Sequence, residues 1–210
     1  MRKLLLIISL LLITNTFAQR GHDGDYTTPG IGSIVNTYSK VNGTIAPSST
    51  TITVANAAFA SSLAPGDLIM IVQMQGIFIY DGTVSIDYYN SLMGWGSAVP
   101  YPSVPNPHAQ TELYGKVNDY MQVGYHELRE VVSVAGNTIT LNCGLTKDYK
   151  EFPVESDHGI FGAVQVVAVP RYQNVTIPTG TSITAPAWNG QTGGIVALEI
   201  NGNLSINGTG

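Results

Sequence analysis

The sequence predicts an all-β protein, built as a small β barrel or sandwich followed by the first rungs of a β-solenoid. Short segments rich in β-branched residues recur along the chain, each bounded by turn residues, and no long amphipathic helix is evident. Glycine and proline supply 23 and 11 of the 210 residues, while only 11% of the residues are charged. Many short strands joined by tight turns are typical of barrels and sandwiches.

The first 18 residues have the three parts of a secretory signal peptide. Arg2 and Lys3 precede an apolar run over residues 4–13, and Thr16 and Ala18 occupy the −3 and −1 positions of a cleavage site. The run is shorter than the roughly 20 residues that span a bilayer, so it does not predict a membrane anchor. The alternative to a signal peptide is a buried N-terminal helix. We expect cleavage after Ala18 and a secreted or cell-surface protein with no membrane span.

Three segments of the mature chain have different characters. Residues 19–32 are polar and glycine-rich, which predicts a flexible leader. Residues 33–180 hold most of the strand-like segments and are predicted to form the barrel or sandwich. Within them, residues 68–75 (LIMIVQMQ) and 163–169 (AVQVVAV) are nearly continuous apolar runs that predict buried strands. Residues 56–64 fit a single short helical turn.

Residues 81–120 form a long irregular segment with many aromatic side chains. Loops of this length are uncommon inside compact domains and are often functional. Aromatic rings stack on sugars or pack against proteins, so a glycan or a surface protein is the predicted partner. The alternative is a loop that packs its own aromatic residues over the core. The candidate ligand-binding residues are Tyr88, Tyr89, Trp95 and Tyr101.

Residues 181–210 predict the start of a β-solenoid. Their short strands are separated by the turns Asn201-Gly202 and Asn207-Gly208, as in the rungs of a solenoid. One or two rungs cannot bury their own apolar face, and terminal repeats need caps. We therefore expect a truncated solenoid whose partner is the rest of its own longer chain.

The loop of residues 146–159 carries carboxylates that suit calcium, the one cofactor that the sequence suggests. The candidate ligands are Asp148, Glu151, Glu155 and Asp157. Solvated loop charges are the alternative, because the loop lacks the spacing of an EF-hand or of a calcium-binding nonapeptide repeat. His22, Asp23 and Asp25 form a second cluster in the leader, where flanking glycines favour solvated side chains over a metal site.

The sequence shows no catalytic constellation. Alternation along the predicted strand at 124–134 places Glu127 and Glu130 on opposite faces, so we expect exposed side chains and not a glycosidase pair. Cys143 is predicted to be a small buried hydrophobe, and no serine lies in a GxSxG elbow. The net charge of −5 offers no basic field for nucleic acid.

Several strings resemble the N-terminal region of large secreted, adhesin-like proteins of Bacteroidetes and gliding bacteria. They are LAPGD at 63–67 with IMIVQMQG after it, YHELREVVSV at 125–134, VQVVAVPRY at 164–172 and APAWNGQTGGIVAL at 185–198. Many such proteins end in a type IX secretion sorting domain, and the last string leads into a β-helix-like region in that group. The resemblance covers residues 33–210 and supplies no catalytic residues.

Together these observations predict a non-enzymatic N-terminal module of a secreted or cell-surface adhesin-like protein. Its role would be structural, capping a solenoid, with ligand contact through the aromatic loop. The alternative is the accessory part of a secreted β-helix polysaccharide-degrading enzyme whose catalytic residues lie beyond residue 210. A periplasmic or outer-membrane assembly component is a third class that the sequence leaves open.

Overall fold

The computed structural model describes residues 20–76, 78–79, 117–119, 122–151 and 162–207. Thirteen named strands and one short helix fall in these ranges. In chain order they are β1 (Tyr26–Thr27), β2 (Tyr38–Lys40), β3 (Thr51–Thr53), α1 (Ala57–Ser61), β4 (Leu68–Gln75), β5 (Phe78–Ile79), β6 (Val117–Asp119), β7 (His126–Ala135), β8 (Thr138–Leu141), β9 (Ala163–Val169), β10 (Arg171–Tyr172), β11 (Val175–Ile177), β12 (Glu199–Ile200) and β13 (Leu204–Ile206).

Six strands form the curled sheet, an antiparallel sheet in the order β2-β9-β4-β7-β8-β3. The two edge strands approach each other, because a bridge joins Val41, just after β2, to Val54, just after β3. β4 and β9 pair along most of their length, and the side chains on both of their faces are largely buried, which explains their nearly continuous apolar sequences. Among the described strands, β5 and β6 pair with each other and with no other strand.

The hydrophobic core lies inside the curled sheet. Ile69 and Ile71 of β4, Ile139 of β8, and Val164 and Val166 of β9 are fully buried there. Alternation along the strands brings these side chains to one face. Burial of this kind contributes about 25 cal/mol per Å² of apolar surface, so the core supplies most of the sheet's stability.

The helix α1 packs against this core. Asn56 is its N-cap, and the Asn56 side chain accepts hydrogen bonds from the backbone N–H groups of Ala58 and Phe59. Phe59 and Ala60 are buried. The predicted helical turn is therefore confirmed, and its position follows from an Asn cap ahead of small and apolar residues.

The remaining strands form the parallel stack, in which β1, β11 and β13 are neighbours and β10 pairs with β12. All of these pairings are parallel. The chain makes a first turn over residues 20–35, enters the curled sheet, and returns at Arg171 to make a second turn. A third turn begins at Glu199, 28 residues after Arg171.

The predicted fold class is confirmed: the described chain is almost entirely β, with a curled half-barrel sheet and parallel rungs. Two details differ from the sequence prediction. The supposed flexible leader contains β1, which pairs with β11 from Tyr26↔Val175 to Thr27↔Thr176. The strands β10 and β11 belong to the parallel stack, although residues up to 180 were predicted to lie in the barrel. A pairing partner so distant in sequence stabilises a segment that local composition describes as a loop.

Candidate functional site at the open edge of the parallel stack

The third turn of the parallel stack leaves one strand edge without a partner among the described residues. β13 pairs with β11 through Val175↔Leu204 and Ile177↔Ile206, and no described strand lies on its other side. Leu204 and Ile206 are 51% and 58% exposed, whereas Val175, one turn earlier in the same column, is fully buried. An exposed apolar strand edge is a template for pairing with a further strand.

The opposite edge, at β1, is protected. β1 has only two residues and lies between the exposed Asp25 and Pro29. Short strands, charges and proline are the devices by which proteins prevent edge-to-edge pairing. Within the described residues, the parallel stack therefore has a short, protected edge at β1 and an exposed apolar edge at β13.

Arg171 connects the second and third turns to the curled sheet. Its guanidinium is almost fully buried and donates to Glu199 at 2.5 Å, to Glu130 of β7 at 3.0 Å and to the Gly66 carbonyl at 3.2 Å. Its backbone N–H donates to Asp23 of the first turn. Burial acts to lower the pKa of Arg171, but hydrogen bonds and charges from Glu199 and Glu130 outweigh burial and raise that pKa.

Side chains of the curled sheet, together with Asn36 just before β2, hold the backbone of residues 193–197 in the second turn. The Gln165 amide donates to the Gly193 carbonyl and accepts from the Gly193 N–H, both at 2.9 Å. Asn36 makes the same two-point contact with Ala197, and the Tyr38 hydroxyl donates to the Ile195 carbonyl at 2.6 Å. Within the described residues, this segment pairs with no strand of a neighbouring turn.

The local sequence explains how residues 186–197 reach that position. The Asn189 side chain accepts from the N–H groups of Gln191 and Thr192 and forms a tight turn. Gly193 has φ +107°, and a Cβ atom there would lie 2.7 Å from the Ala187 carbonyl oxygen. Glycine is therefore required at Gly193 for the chain to return to the sheet.

His22 bridges two carboxylates beside a cleft between the first turn and the curled sheet. Its Nε2 lies 3.4 Å from an Asp23 oxygen and 3.6 Å from an Asp67 oxygen. The cleft has a volume of about 130 Å³ and is lined in part by Val35, Leu63 and Val169. Asp25, predicted to join His22 and Asp23, instead accepts a hydrogen bond from Asn174.

The predicted calcium ligands that the structure describes are engaged with cations of the chain itself. Glu151 pairs with Lys40 at 2.6 Å and accepts from the Val164 N–H, while Asp148 lies 3.3 Å from Lys150. Glu155 and Asp157 lie outside the described residues, so calcium binding stays a prediction. In the part of the chain that is described, no group of three or more His, Cys, Asp or Glu side chains could hold a metal ion.

The predicted aromatic ligand site lies outside the described residues. This applies to all four of its members, Tyr88, Tyr89, Trp95 and Tyr101. Their role in binding a glycan or a surface protein stays a prediction. Across the described ranges, no helix is long and apolar enough to cross a membrane.

Glu127 and Cys143 differ from their predicted environments. Glu127 is 7% exposed and accepts from the N–H groups of Thr146 and Lys147, and it pairs with Arg129. Burial acts to raise the pKa of Glu127, but these hydrogen bonds and the Arg129 charge outweigh burial and lower that pKa. Cys143 is exposed, because it follows β8 in a bend and not in the strand. The prediction of an exposed Glu127 and a buried Cys143 was therefore wrong.

The residues that join sheet and stack were not found from the sequence. Gln165 is a polar residue inside the apolar run of residues 163–169, and Arg171 directly follows Pro170. A polar amide in a buried strand is a usable signal, because a buried amide must find hydrogen-bond partners. The identity of those partners, 28 residues away, has no local signal.

Comparisons with known proteins gave matches only among solved structures. No protein-family model and no curated protein matches the chain. The chain is similar to the tailspike gp61 of Pseudomonas phage phi297, with 16% identity and a TM-score of 0.34, over 80% of this chain and 22% of that one. It is also similar to the gp54 tailspike of Acinetobacter baumannii bacteriophage AP22, solved in complex with a capsular saccharide, with 14% identity and a TM-score of 0.31, over 88% and 26%.

A third similar structure is the tailspike gp49 of Pseudomonas phage LKA1, with 14% identity and a TM-score of 0.31, over 77% of this chain and 24% of that one. The chain thus spans about a quarter of the length of these tailspike structures.

Proposed function

We propose that this chain is the N-terminal cap of a secreted β-solenoid, a non-enzymatic structural module of a surface or adhesin-like protein. The observation that carries the proposal is the asymmetry of the parallel stack. The edge at β1 is short and flanked by Asp25 and Pro29, while the edge at β13 presents exposed Leu204 and Ile206.

A cap must terminate a stack at one end and support its growth at the other. The protected edge at β1 performs the first task, because it offers no long unpaired strand to another chain. The curled sheet supports the second turn from the side through Gln165, Asn36 and Arg171. The open edge at β13 then allows a further rung to continue the column that runs from Tyr26 through Val175 to Leu204.

Burial supports the direction of growth. Val175 is fully buried between the first and third turns, and Leu204 occupies the same column in the third turn. A fourth turn on β13 would bury Leu204 and Ile206 as the third turn buries Val175. In solenoids each repeat contacts only its neighbours, so a terminal repeat becomes stable when the next one covers it.

Secretion is part of this proposal and rests on the signal-peptide pattern of residues 1–18. Glycan contact through the aromatic segment, and the alternative of an accessory part of a polysaccharide-degrading enzyme, stay predictions. The capping role requires neither of them.

Substitution of the open edge by lysine tests the capping role. In the protein as the cell exports it, we expect Leu204→Lys and Ile206→Lys each to prevent folding and secretion, because each would bury an ammonium group between turns. In the 210-residue chain the same changes should leave the melting temperature within about 2 °C, since both side chains are exposed there.

Ile31→Lys is the matched control, because Ile31 is 84% exposed on the first turn. It should be silent at both lengths. The proposal is contradicted if Leu204→Lys and Ile206→Lys are as silent as Ile31→Lys in the exported protein.

A further inference from the structure

We propose that the curled sheet is a folding template for the parallel stack, with Gln165, Asn36 and Tyr38 as the residues that position the second turn. The inference rests on the proposed capping function and adds how the first rungs acquire their register. Its basis is that side chains of the sheet, and of Asn36 just before β2, bind backbone atoms of residues 193–197 and not their side chains.

The Gln165 contact reproduces a backbone pairing. Its amide supplies one donor and one acceptor to Gly193, as an opposed strand residue would, and Gln165 is fully buried. Asn36 does the same for Ala197 and also donates to the Ala168 carbonyl at 2.9 Å. A primary amide has the donor and acceptor geometry of a peptide group, so two such side chains replace a missing neighbouring strand.

These contacts lie where the first turn supplies no strand. The first turn pairs with the second at β1 and β11 and again at the Ser33↔Ile183 bridge. Neither pairing reaches residues 193–197. The sheet therefore takes the place of a first-turn strand beside residues 193–197, and it holds this part of the second turn in a single register.

Register is the difficult step in forming a parallel stack. β1 and β11 are separated by about 149 residues, and the second and third turns by 28 or 29. Parallel pairing over such separations must overcome loop-closure entropy before any contact stabilises it. The β2–β9 pairing of the curled sheet spans a similar separation (Tyr38↔Val167), but a buried core stabilises it, so the sheet is able to form first. Once it has formed, β1 and β11 lie close to β2 and β9 along the chain, and Gln165, Asn36 and Tyr38 have fixed positions.

Arg171 links the third turn to the position of the second turn on the sheet. It leaves the sheet directly after β9, contacts Glu130 of β7, and donates to Glu199 one turn later. The spacing of 28 residues between Arg171 and Glu199 is the same as that between Gln165 and Gly193. Two contacts of equal spacing, both starting at β9 or just after it, set the length of the second turn.

Pulse-labelling hydrogen exchange during refolding of the 210-residue chain tests the template. The N–H groups of Asn201 and Asn207 donate to the second turn and report the stack, while those of Gly66 and Val131 report the sheet. We expect the sheet amides to become protected first. In Gln165→Leu, protection of the stack amides should be delayed about tenfold while the sheet amides keep their time, as for a contact formed in the transition state.

Gln73→Leu is the matched control. Gln73 is also buried and makes the same two-point contact, but with Lys150 inside the domain of the curled sheet. Loss of the Gln73 amide should delay the protection of the sheet amides and of the stack amides together. Tyr38→Phe, which removes only the hydroxyl group that holds Ile195, is the conservative second variant and should delay the stack alone by about threefold.

The template is refuted if the stack amides of Gln165→Leu and Tyr38→Phe become protected on the wild-type schedule and only the unfolding rate rises. That result would mean that these contacts form after the transition state for folding and stabilise only the folded protein. It would leave the capping function intact, because the cap is tested at β13 in the exported protein and the template is tested at β9 and residues 193–197.

Discussion

The curled sheet and the parallel stack differ in how completely each buries its own side chains. In the sheet, Ile71, Ile139 and Val166 have no exposed surface. In the stack, one column passes from the partly buried Tyr26 through the fully buried Val175 to the half-exposed Leu204. The sheet is therefore a finished core, whereas the stack is finished only in its middle turn. This difference is the one that the proposed capping function requires, with the sheet as the support and the stack as the part that a further rung would cover.

The largest expected effect is the loss of a core side chain of the sheet. We expect Ile71→Ala to lower the free energy of unfolding by about 2–5 kcal/mol, because it removes buried methyl groups and leaves a cavity. Chemical denaturation of the 210-residue chain measures this. A loss below about 1 kcal/mol would show that the core is not the main source of stability.

A smaller loss is expected at the junction of sheet and stack. Arg171→Met should cost about 2 kcal/mol, because it leaves Glu130 and Glu199 without their buried partner, although both carboxylates keep access to water. Arg20→Met is the control, since Arg20 is 72% exposed and contacts the same Glu199 at 3.3 Å. It should change stability by less than about 0.5 kcal/mol. Equal effects of the two variants would contradict the role of Arg171.

The environment of Glu127 predicts that the sheet loses stability at acid pH. Its pKa is lowered in the folded protein, so its stabilising contribution is complete above the ordinary value of 4.5 and is lost as the pH falls through the lower folded value. We expect Glu127→Gln to be about 1–3 kcal/mol less stable at pH 7 and the difference to shrink below about pH 4.5.

Thermal melting of both proteins from pH 7 to pH 3 checks the Glu127 prediction. Asp148→Asn serves as a control, because Asp148 lies in the loop that Glu127 holds and its pairing with Lys150 is partly exposed. A constant difference between wild type and Glu127→Gln across this range would rule out the assigned role.

The smallest effect is expected at the open edge. Ile206→Ala in the 210-residue chain should change the free energy of unfolding by no more than about 0.5 kcal/mol, because Ile206 is 58% exposed. Denaturation under the conditions used for Ile71→Ala gives a direct contrast of two isoleucines in β strands. A cost comparable to that of Ile71→Ala would mean that the stack is already complete.

Strand positions were predictable where a local pattern determines them. Residues 68–75 and 163–169 are strands with the predicted bounds, because a strand buried on both faces requires a continuous apolar run. Residues 20–32 were not predictable as part of a turn, since β1 becomes a strand through β11, which lies about 149 residues away. The contacts of Gln165 and Arg171 were not predictable for the same reason, because their partners are distant in the sequence.

Hydrogen exchange at the open edge of the exported protein tests the central claim most directly. Asn203 and Asn207 bond to β11, so alternation points the N–H groups of Leu204 and Ile206 away from it, toward the open side. In the 210-residue chain these two amides should exchange as in an exposed strand. If the chain caps a solenoid, both should be protected at least about 100-fold in the exported protein, because a further rung accepts their hydrogen bonds. Equal, fast exchange of both amides at both lengths would contradict the capping function.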